Sequence, residues 1–347
     1  MGQRRKEIIV PTPRQVSSGK WYIYLRLSTG TYSITDKDYN RCIARARAIK
    51  AGVLEEQQSG DGITLTQAID KYIESRSAVL SPSTIRGYRI IQRNRFPGLM
   101  GQNVYKISRR QLQTAVNKEC REVSAKTVKN AYGLISAAIA YETDRQITVT
   151  LPQVIPNEHE FLTPEQIPVF LYAVKGTDIE LACLLGLWSL RQSEISALTR
   201  GDIDFTANTI KVNRAAVPDE HNKMVVKPET KNTSSRRTIP LSPRIKELIP
   251  PDLPKDTQLV KIAPASLRRK INKICEENNL PQIGVHGLRH SFASLGYSLG
   301  ISEKELMAIG GWSNDATMKK IYTHISKQQK QDAIQKFMEF YTEKGQN

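Results

Sequence analysis

The stretch IGVHGLRHSFASLG, residues 283–296, places two of the chain's five histidines four positions apart, with an arginine between them. His286, Arg289 and His290 have the spacing i, i+3 and i+4, which puts side chains on one face of a helix. Three explanations suit such a trio. It is a metal site, a structural patch, or a site that binds a charged ligand.

Two other polar clusters stand out in the same half of the chain. LGLWSLRQSEISALTRGDID, residues 185–204, predicts a very apolar helix that carries Arg191 and Glu194 inside it. Buried charges are costly unless they are paired, and an ion pair at i, i+3 is the plain explanation. The stretch GGWSNDATMKKIYTH, residues 310–324, supplies the third cluster: Trp312, Tyr322 and His324.

The charge of the chain indicates a polyanionic partner. The formal net charge is +17 over 347 residues, and the isoelectric point is near 9.7. Residues 1–60 have a net charge of +6, residues 61–155 of +7, and the remaining residues only +4. A basic protein that is merely soluble is the alternative, but we favour nucleic acid, held by the front half of the chain.

Length and cysteine usage narrow the class further. A chain of 347 residues is too long for one ordinary core and predicts two or three domains. The four cysteines are far apart in sequence, which gives no metal or redox spacing and fits a reduced, intracellular compartment. No apolar run reaches the length of a membrane span. We therefore expect a cytoplasmic protein, associated with the nucleoid when it binds DNA.

Residues 1–60 predict a small basic domain. Residues 19–34 are rich in Tyr, Ile and Thr around a turn signal, which favours two short strands. Residues 38–58 then read as a helix. The unit is either a DNA-binding appendage or a short domain with a solvated face. We favour DNA binding, with Arg41 and Arg45 as candidate contacts.

Residues 63–152 predict an all-helical basic domain after a polar linker. Apolar residues recur at helical spacing, and Ser81-Pro82 is typical of a helix start. The apolar stripes are expected to form the core. Several arginines are candidate phosphate contacts, although each alone is as well explained as a solvated charge: Arg86, Arg89, Arg93, Arg95, Arg109 and Arg110.

Residues 158–347 predict a mostly helical domain with strand-like segments at about 203–242. Capping-box patterns begin helices at Thr163 and at Ser302. A last amphipathic helix is predicted over residues 325–343. The predicted fold class is therefore mainly α with small β elements (α+β).

The three clusters together resemble the tyrosine recombinases, the phage-type integrases. The LRQSEISAL, HGLRH and IYTH boxes occur in that family's order and spacing, over roughly residues 60–325. Residues 1–60 are similar to the arm-type DNA-binding domain of many integrases. The resemblance implies a helical core-binding domain over residues 63–152 and a catalytic domain over residues 158–347. It also implies a C-shaped clamp on core-site DNA.

The family's site residues carry over by position. The resemblance makes Tyr322 the nucleophile and assigns the other catalytic positions to Arg191, Lys231, His286, Arg289 and Trp312. Lys231 lies in ETKNTSSRRTIPL, residues 229–241, and Lys223 and Lys227 are alternatives nearby. Trp312 stands where most members have histidine. Tyr297 and Tyr341 are the control tyrosines.

Those residue types suit phosphoryl chemistry. A phosphodiester is already anionic, and its transition state gathers more charge, which two guanidiniums can clamp without a metal. Trp312 offers only an N–H donor. Tyr322 attacks as a covalent nucleophile. His286 is a base, and Lys231 is an acid for the leaving 5′-hydroxyl.

The opening question is then answered in favour of an anion site. The metal hypothesis lacks a third ligand at a recognisable spacing and leaves Arg289 unexplained, so we predict neither metal nor cofactor. His290 is expected to be a structural neighbour. The implied partners are double-stranded DNA with core and arm sites, a homotetramer, and an accessory DNA-bending or excisionase protein.

The sequence departs from the family before the first arginine. The family usually has Gly where Ser189 stands, although Arg191 and Glu194 keep their register. A type IB topoisomerase is the closest rival, and a non-catalytic DNA-binding protein or decayed integrase is another. The basic front domains favour recombination, and the intact site argues against decay. The last helix packs on its own domain or on a neighbouring subunit.

Overall fold

The computed structural model describes residues 8–16, 19–27, 30–58, 62–155, 160–227 and 236–312. Within these residues the chain is mainly helical with three small sheets, which confirms the predicted fold class. It divides into two compact units, Met1–Pro156 with Pro218–Lys223, and Asn157–Val217 with Met224–Asn347. No helix of the described part is long and apolar enough to cross a membrane.

The first unit begins with an antiparallel sheet of order β1-β2-β3, followed by a helix. The elements are β1 (Arg14–Gln15), β2 (Trp21–Leu27), β3 (Gly30–Asp36) and α1 (Tyr39–Gln58). Alternate residues of β2, Ile23 and Leu25, face Cys42 and Ala46 of α1 in a small buried core. The two predicted strands and the predicted helix are thus confirmed, and β1 is an addition.

Five further helices belong to the first unit within the described residues. They are α2 (Leu65–Glu74), α3 (Pro82–Asn94), α4 (Pro97–Met100), α5 (Arg109–Glu122) and α6 (Ala125–Thr143). Thr64 and Gln67 form a capping box that satisfies the first free N–H groups of α2. The buried stripes of α2 and α6 form the centre of the core, as their apolar periodicity predicts.

Arg145 joins the sheet and the helices of the first unit. The side chain of Arg145 is fully buried. The backbone of Arg145 pairs with that of Tyr32 in β3 through an isolated antiparallel β-bridge. Its Nη1 donates to the carbonyls of Val104 at 2.8 Å and Tyr105 at 2.9 Å, and its Nη2 donates to Ile107 O at 2.7 Å. Burial lowers the pKa of this guanidinium, against an opposing contribution from Tyr32.

The second unit surrounds its own larger core. Its elements are α7 (Gln166–Val174), α8 (Glu180–Leu187), α9 (Gln192–Ile195), β4 (Ile203–Asp204), β5 (Thr209–Val212), β6 (Ala215–Pro218), β7 (Met224–Lys227), β8 (Arg237–Pro240), α10 (Pro243–Glu247), α11 (Pro264–Glu277), α12 (Val285–Ser298) and α13 (Glu303–Gly310). The five strands of the described part of this unit all fall within the predicted 203–242 segment. β4, β5 and β8 form one antiparallel sheet, and β6 and β7 form another.

Two predicted helix starts have different outcomes. Ser302 and Glu305 form the predicted capping box at the start of α13. At the other start, Gln166 accepts the N–H of Thr163 at 3.0 Å, but α7 begins only at Gln166. The hydrogen bond from the Thr163 N–H to the Gln166 side chain is therefore present as predicted. The first helical turn, however, begins later in the chain than the sequence predicts.

A close approach of α8 and α12 sets up the site described below. Gly186 of α8 faces Leu288 of α12, and a Cβ built on Gly186 would lie 3.1 Å from that leucine. Leu185, Leu190 and Leu288 are all fully buried in the same core. The glycine thus allows the end of α8 to lie beside the middle of α12.

Candidate active site

Ser189 breaks the chain between α8 and α9. Its φ is +69°, in the left-handed region that non-glycine residues seldom adopt. The prediction that Arg191 and Glu194 lie inside one continuous apolar helix is therefore wrong, because a left-handed residue cannot continue a right-handed helix. α8 ends at Leu187, and Arg191 becomes the N-cap residue of α9 with φ −74° and ψ 153°.

Glu194 is the anionic centre of the site. It is 2% exposed, and its Oε1 accepts from Arg191 Nη1 at 2.6 Å. Its Oε2 also accepts the backbone N–H of Arg191 at 2.9 Å. Burial alone would raise the pKa of this carboxyl, but hydrogen bonds and charge from Arg237 and Arg191 hold the pKa below its ordinary value.

Arg289 is the second arginine of the site and comes from α12. It is 1% exposed, and its Nη1 donates to the backbone carbonyl of Ser189. Its Nη2 is buried and has no hydrogen-bond partner in the described part of the chain. Burial, with the nearby charges of Arg191 and Arg237 and against the opposing charge of Glu194, lowers the pKa of Arg289 to about 9. A buried cation with an unused donor is suited to an anionic ligand.

Trp312 covers Arg289 from the other side. The guanidinium carbon lies 4.0 Å from the centre of the indole ring, which is a cation–π contact. Phe292 stacks on the same ring at 6.2 Å with an interplanar angle of 23°. A Cβ on Gly310 would lie 1.7 Å from the indole, so glycine at this position makes room for the ring.

The two histidines of α12 differ in exposure. His286 is exposed, whereas His290 is 4% exposed, and their rings meet edge to face at 4.3 Å. His286 therefore stays accessible to a ligand at the start of α12, and His290 lies in the core beneath it. In the described ranges, no group of three or more His, Cys, Asp and Glu side chains converges as a metal-binding set.

Two predicted catalytic residues, Lys231 and Tyr322, lie outside the described residues. Of the alternatives to Lys231, Lys227 is the last residue of β7. Between the ends of β5 and β8 there is an open cleft of about 530 Å³, lined by Lys211, Val212, Asn213, Arg236, Arg237 and Thr238. Lys211 and Arg236 are its exposed cations, as a phosphate-binding surface requires.

Arg237 is a site residue that the sequence analysis did not single out. Its side chain is 6% exposed, and its guanidinium donates to Glu194 and to the carbonyl of Ser189. A signal was available, because Arg237 and the buried Ile239 alternate along β8 and so share its inner face. The structure thus brings together three arginines, one glutamate and one tryptophan.

The predicted DNA-binding arginines of the first unit fall into two groups. Arg41 and Arg45 of α1 both lie near Asp36, at 3.7 and 3.5 Å, and Arg89 of α3 is paired with Asp70. Arg93, Arg109 and Arg110 are exposed, and Arg86 is half-buried. Arg41 and Arg45 are themselves exposed, so their weak surface pairs with Asp36 leave them candidates for phosphate contact, as Arg93, Arg109 and Arg110 are, whereas Arg89 is largely explained by its ion pair.

Comparisons with known proteins give a consistent family. Residues 160–329 match the model of the phage integrase family. A tyrosine recombinase XerC-like protein of Caldanaerobacter subterraneus subsp. tengcongensis is 27% identical over 284 residues, which cover 68% of this chain and 72% of that protein.

Solved structures show the same fold. The Tn1549 transposon integrase in complex with transposon right end DNA aligns with a TM-score of 0.60 at 20% identity, over 75% of this chain and 95% of that chain. A lambda integrase dimer bound to a core site aligns with a TM-score of 0.53 at 17% identity, over 92% of this chain and 96% of that chain.

The fold and the family match define the class of protein, a site-specific recombinase that uses a tyrosine. Within that class, residues 160–329, just under half of the chain, match the phage integrase family.

Proposed function

We propose that the chain is the integrase of a phage or other mobile element, which cuts and rejoins DNA through a covalent 3′-phosphotyrosine intermediate. The observation that carries this proposal is the arginine cluster. Arg191 and Arg289 come from different helices and share one buried site, where Arg289 keeps an unused donor. A scissile phosphate is the anion that such a site fits best.

The cluster is suited to the transition state of phosphoryl transfer. Arg191, Arg237 and Arg289 contribute three positive charges and Glu194 one negative charge, which leaves a formal excess of two positive charges. A phosphodiester carries one negative charge, and its pentavalent transition state approaches two. The stabilisation would thus increase as the charge develops, which is the requirement for lowering a barrier.

The sequence resemblance supplies the covalent step. The Tyr322 hydroxyl oxygen attacks phosphorus, and the bond from phosphorus to the 5′-oxygen breaks. His286 takes the tyrosine proton, and Lys231 gives a proton to the leaving 5′-oxygen, which becomes a 5′-hydroxyl. A 5′-hydroxyl of a second strand then reverses the step and restores a phosphodiester. Because each bond broken is replaced by an equivalent one, no ATP is needed.

The first unit is proposed to hold DNA. Its exposed candidates are Arg41 and Arg45 of α1, and Arg93, Arg109 and Arg110 of the helical part. The outer face of the first sheet offers a further polar surface, since Tyr24 and Arg26 of β2 are exposed. Arginine at such a surface binds phosphate, and a β-surface fits the major groove. Arm-site binding by residues 1–60 and core-site binding by residues 63–152 follow from the family resemblance.

The assembly and location are also proposals. A homotetramer on DNA and an accessory DNA-bending or excisionase protein would complete the reaction. An enzyme with this substrate would act in the cytoplasm, at the nucleoid.

A strand-joining assay tests the proposal. Two duplexes of different length, each with the end sequence of the element that encodes the chain, are incubated with the protein without metal or ATP. A recombinase joins a strand of one duplex to a strand of the other. A topoisomerase would only reseal the strand it cut, and a binding protein would change neither duplex.

A further inference from the structure

Arg237 forms a two-pronged contact with the carboxylate at the centre of the site. Nη1 lies 3.2 Å from Glu194 Oε1, and Nη2 lies 3.0 Å from Glu194 Oε2. The arginine is the first residue of β8, where it is in register with Val212 of β5. A guanidinium held as a fork by a buried carboxylate has a fixed orientation.

The acceptors of Arg237 are the same ones that hold the two predicted catalytic arginines. Glu194 Oε1 also accepts from Arg191 Nη1, and the Ser189 carbonyl, which lies 3.0 Å from Arg237 Nη2, also accepts from Arg289. Each acceptor is therefore shared between Arg237 and one partner. A displacement of Arg237 would release both acceptors at once.

We propose that Arg237 is a positioning residue of the strand-transfer reaction, which sets the orientation and the net charge of Arg191 and Arg289 without touching the scissile phosphate. This inference rests on the proposed function of the same site. An isolated Arg191–Glu194 pair would be close to neutral. The charge of Arg237 offsets Glu194, so that the charge of Arg191 remains available to the phosphate.

The alternative is that Arg237 is only a structural ion pair of the core. The two ideas differ in what a substitution does to the chemical step. A structural pair contributes to folding, and its loss leaves a folded enzyme with an ordinary cleavage rate. A positioning residue acts on the transition state, so that its loss slows cleavage in a molecule that still folds and still binds DNA.

The chain offers a matched control in the same unit. Arg244 makes a similar fork with the buried Glu180, with Nε 2.7 Å from Oε1 and Nη2 3.0 Å from Oε2. It lies on α10, and none of its contacts in the described part involves Ser189 or Glu194. We expect loss of this fork to lower the thermal midpoint without slowing cleavage.

The experiment compares single-turnover cleavage of a nicked duplex carrying the element's end sequence, at saturating protein. Wild type, Arg237→Gln, Arg237→Lys and Arg244→Gln are measured with their DNA dissociation constants and thermal midpoints. We expect Arg237→Gln to slow cleavage about 10- to 100-fold, because a small misplacement of the groups around the reacting phosphate can cost about 100-fold, while DNA affinity changes by less than about threefold. Arg237→Lys restores part of the rate, because the charge returns without the fork.

Other results overturn the inference. If folded Arg237→Gln cleaves within about twofold of wild type, or if Arg244→Gln is slowed equally, Arg237 has only a structural role. In both cases the wild-type protein still cleaves the duplex, so the proposed function stands. If the wild type itself forms no covalent adduct, the proposed function fails, and the role of Arg237 fails with it.

Discussion

The guanidinium carbon of Arg289 lies 4.0 Å from the centre of the Trp312 ring, so the indole face, not only its N–H, meets the site. From its residue type alone, Trp312 is expected to act as a hydrogen-bond donor to the phosphate. The stack of Phe292 on the same ring holds the indole against Arg289. Ring packing therefore offers a second explanation for tryptophan at a position where the family usually has histidine.

Substitutions at Trp312 separate ring packing from hydrogen bonding. We expect Trp312→Phe to keep cleavage within about fivefold of wild type, because phenylalanine preserves an aromatic face over Arg289. We expect Trp312→Ala to lose at least about tenfold, since a desolvated cation–π contact contributes about 2 kcal/mol. Single-turnover cleavage measures both. If Trp312→Phe falls as far as Trp312→Ala, the indole N–H is the group that matters.

Ser189→Gly is expected to stabilise the second unit. Ser189 has φ +69°, and its buried Oγ has no hydrogen-bond partner among the described residues. Glycine relieves the left-handed strain and removes the unsatisfied hydroxyl, a gain of about 1 kcal/mol. Thermal midpoints measure the change. Ser196→Gly is the control, because Ser196 has φ −66° and its replacement should destabilise by about 0.5–1 kcal/mol. A lower midpoint for Ser189→Gly would contradict the account.

Glu194→Gln is expected to destabilise the second unit in a pH-dependent way. At pH 7 the substitution leaves the buried guanidiniums of Arg237 and Arg289, and the partly exposed one of Arg191, without a counter-charge, a loss of about 3–5 kcal/mol. The folded pKa of Glu194 is lowered, so its stabilisation is complete above the unfolded pKa of about 4.3. That stabilisation is lost as the pH falls through the folded pKa. Denaturant midpoints should therefore differ most near neutral pH and converge in acid. A stability difference between wild type and Glu194→Gln that grows in acid would contradict a lowered pKa for Glu194 in the folded protein.

Because Arg145 is fully buried, substitutions at or beside it are expected to destabilise the first unit. A Cβ on Gly30, where φ is +145°, would lie 2.6 Å from Arg145 Nε. We expect Arg145→Met and Gly30→Ala each to lower the stability of the first unit by about 2–3 kcal/mol, since carbonyl partners are lost or displaced. Hydrogen exchange of the β2 and β3 amides measures the loss. Gly98→Ala has open space around its Cβ and should leave exchange unchanged. Unchanged protection in Arg145→Met would exclude the joining role.

The regular elements were predictable because their signals are local. The buried residues of α2, such as Leu65, Ile69 and Tyr72, follow the helical period, and the capping box at Ser302 begins α13 where the sequence indicates. Strand β1 was missed because two residues are too short to show alternation.

The site was predictable in its residue types more than in its geometry. The order of the sequence boxes identified Arg191 and Arg289, but no local signal marks Ser189 as left-handed, because serine carries no turn preference strong enough to break an apolar helix. Arg237 was passed over because a charge on a short strand is usually solvated. Its burial depends on a carboxylate 43 residues earlier in the chain, a relationship that only the tertiary fold shows.

The covalent adduct tests the central claim most directly. Wild type, Tyr322→Phe and Tyr297→Phe are incubated with a nicked duplex labelled on the strand that keeps the 3′-phosphate, and the products are denatured. The account predicts a protein–DNA adduct in wild type and in Tyr297→Phe, and none in Tyr322→Phe. An adduct that persists in Tyr322→Phe, or its absence from all three proteins despite tight binding, would contradict the phosphotyrosine mechanism.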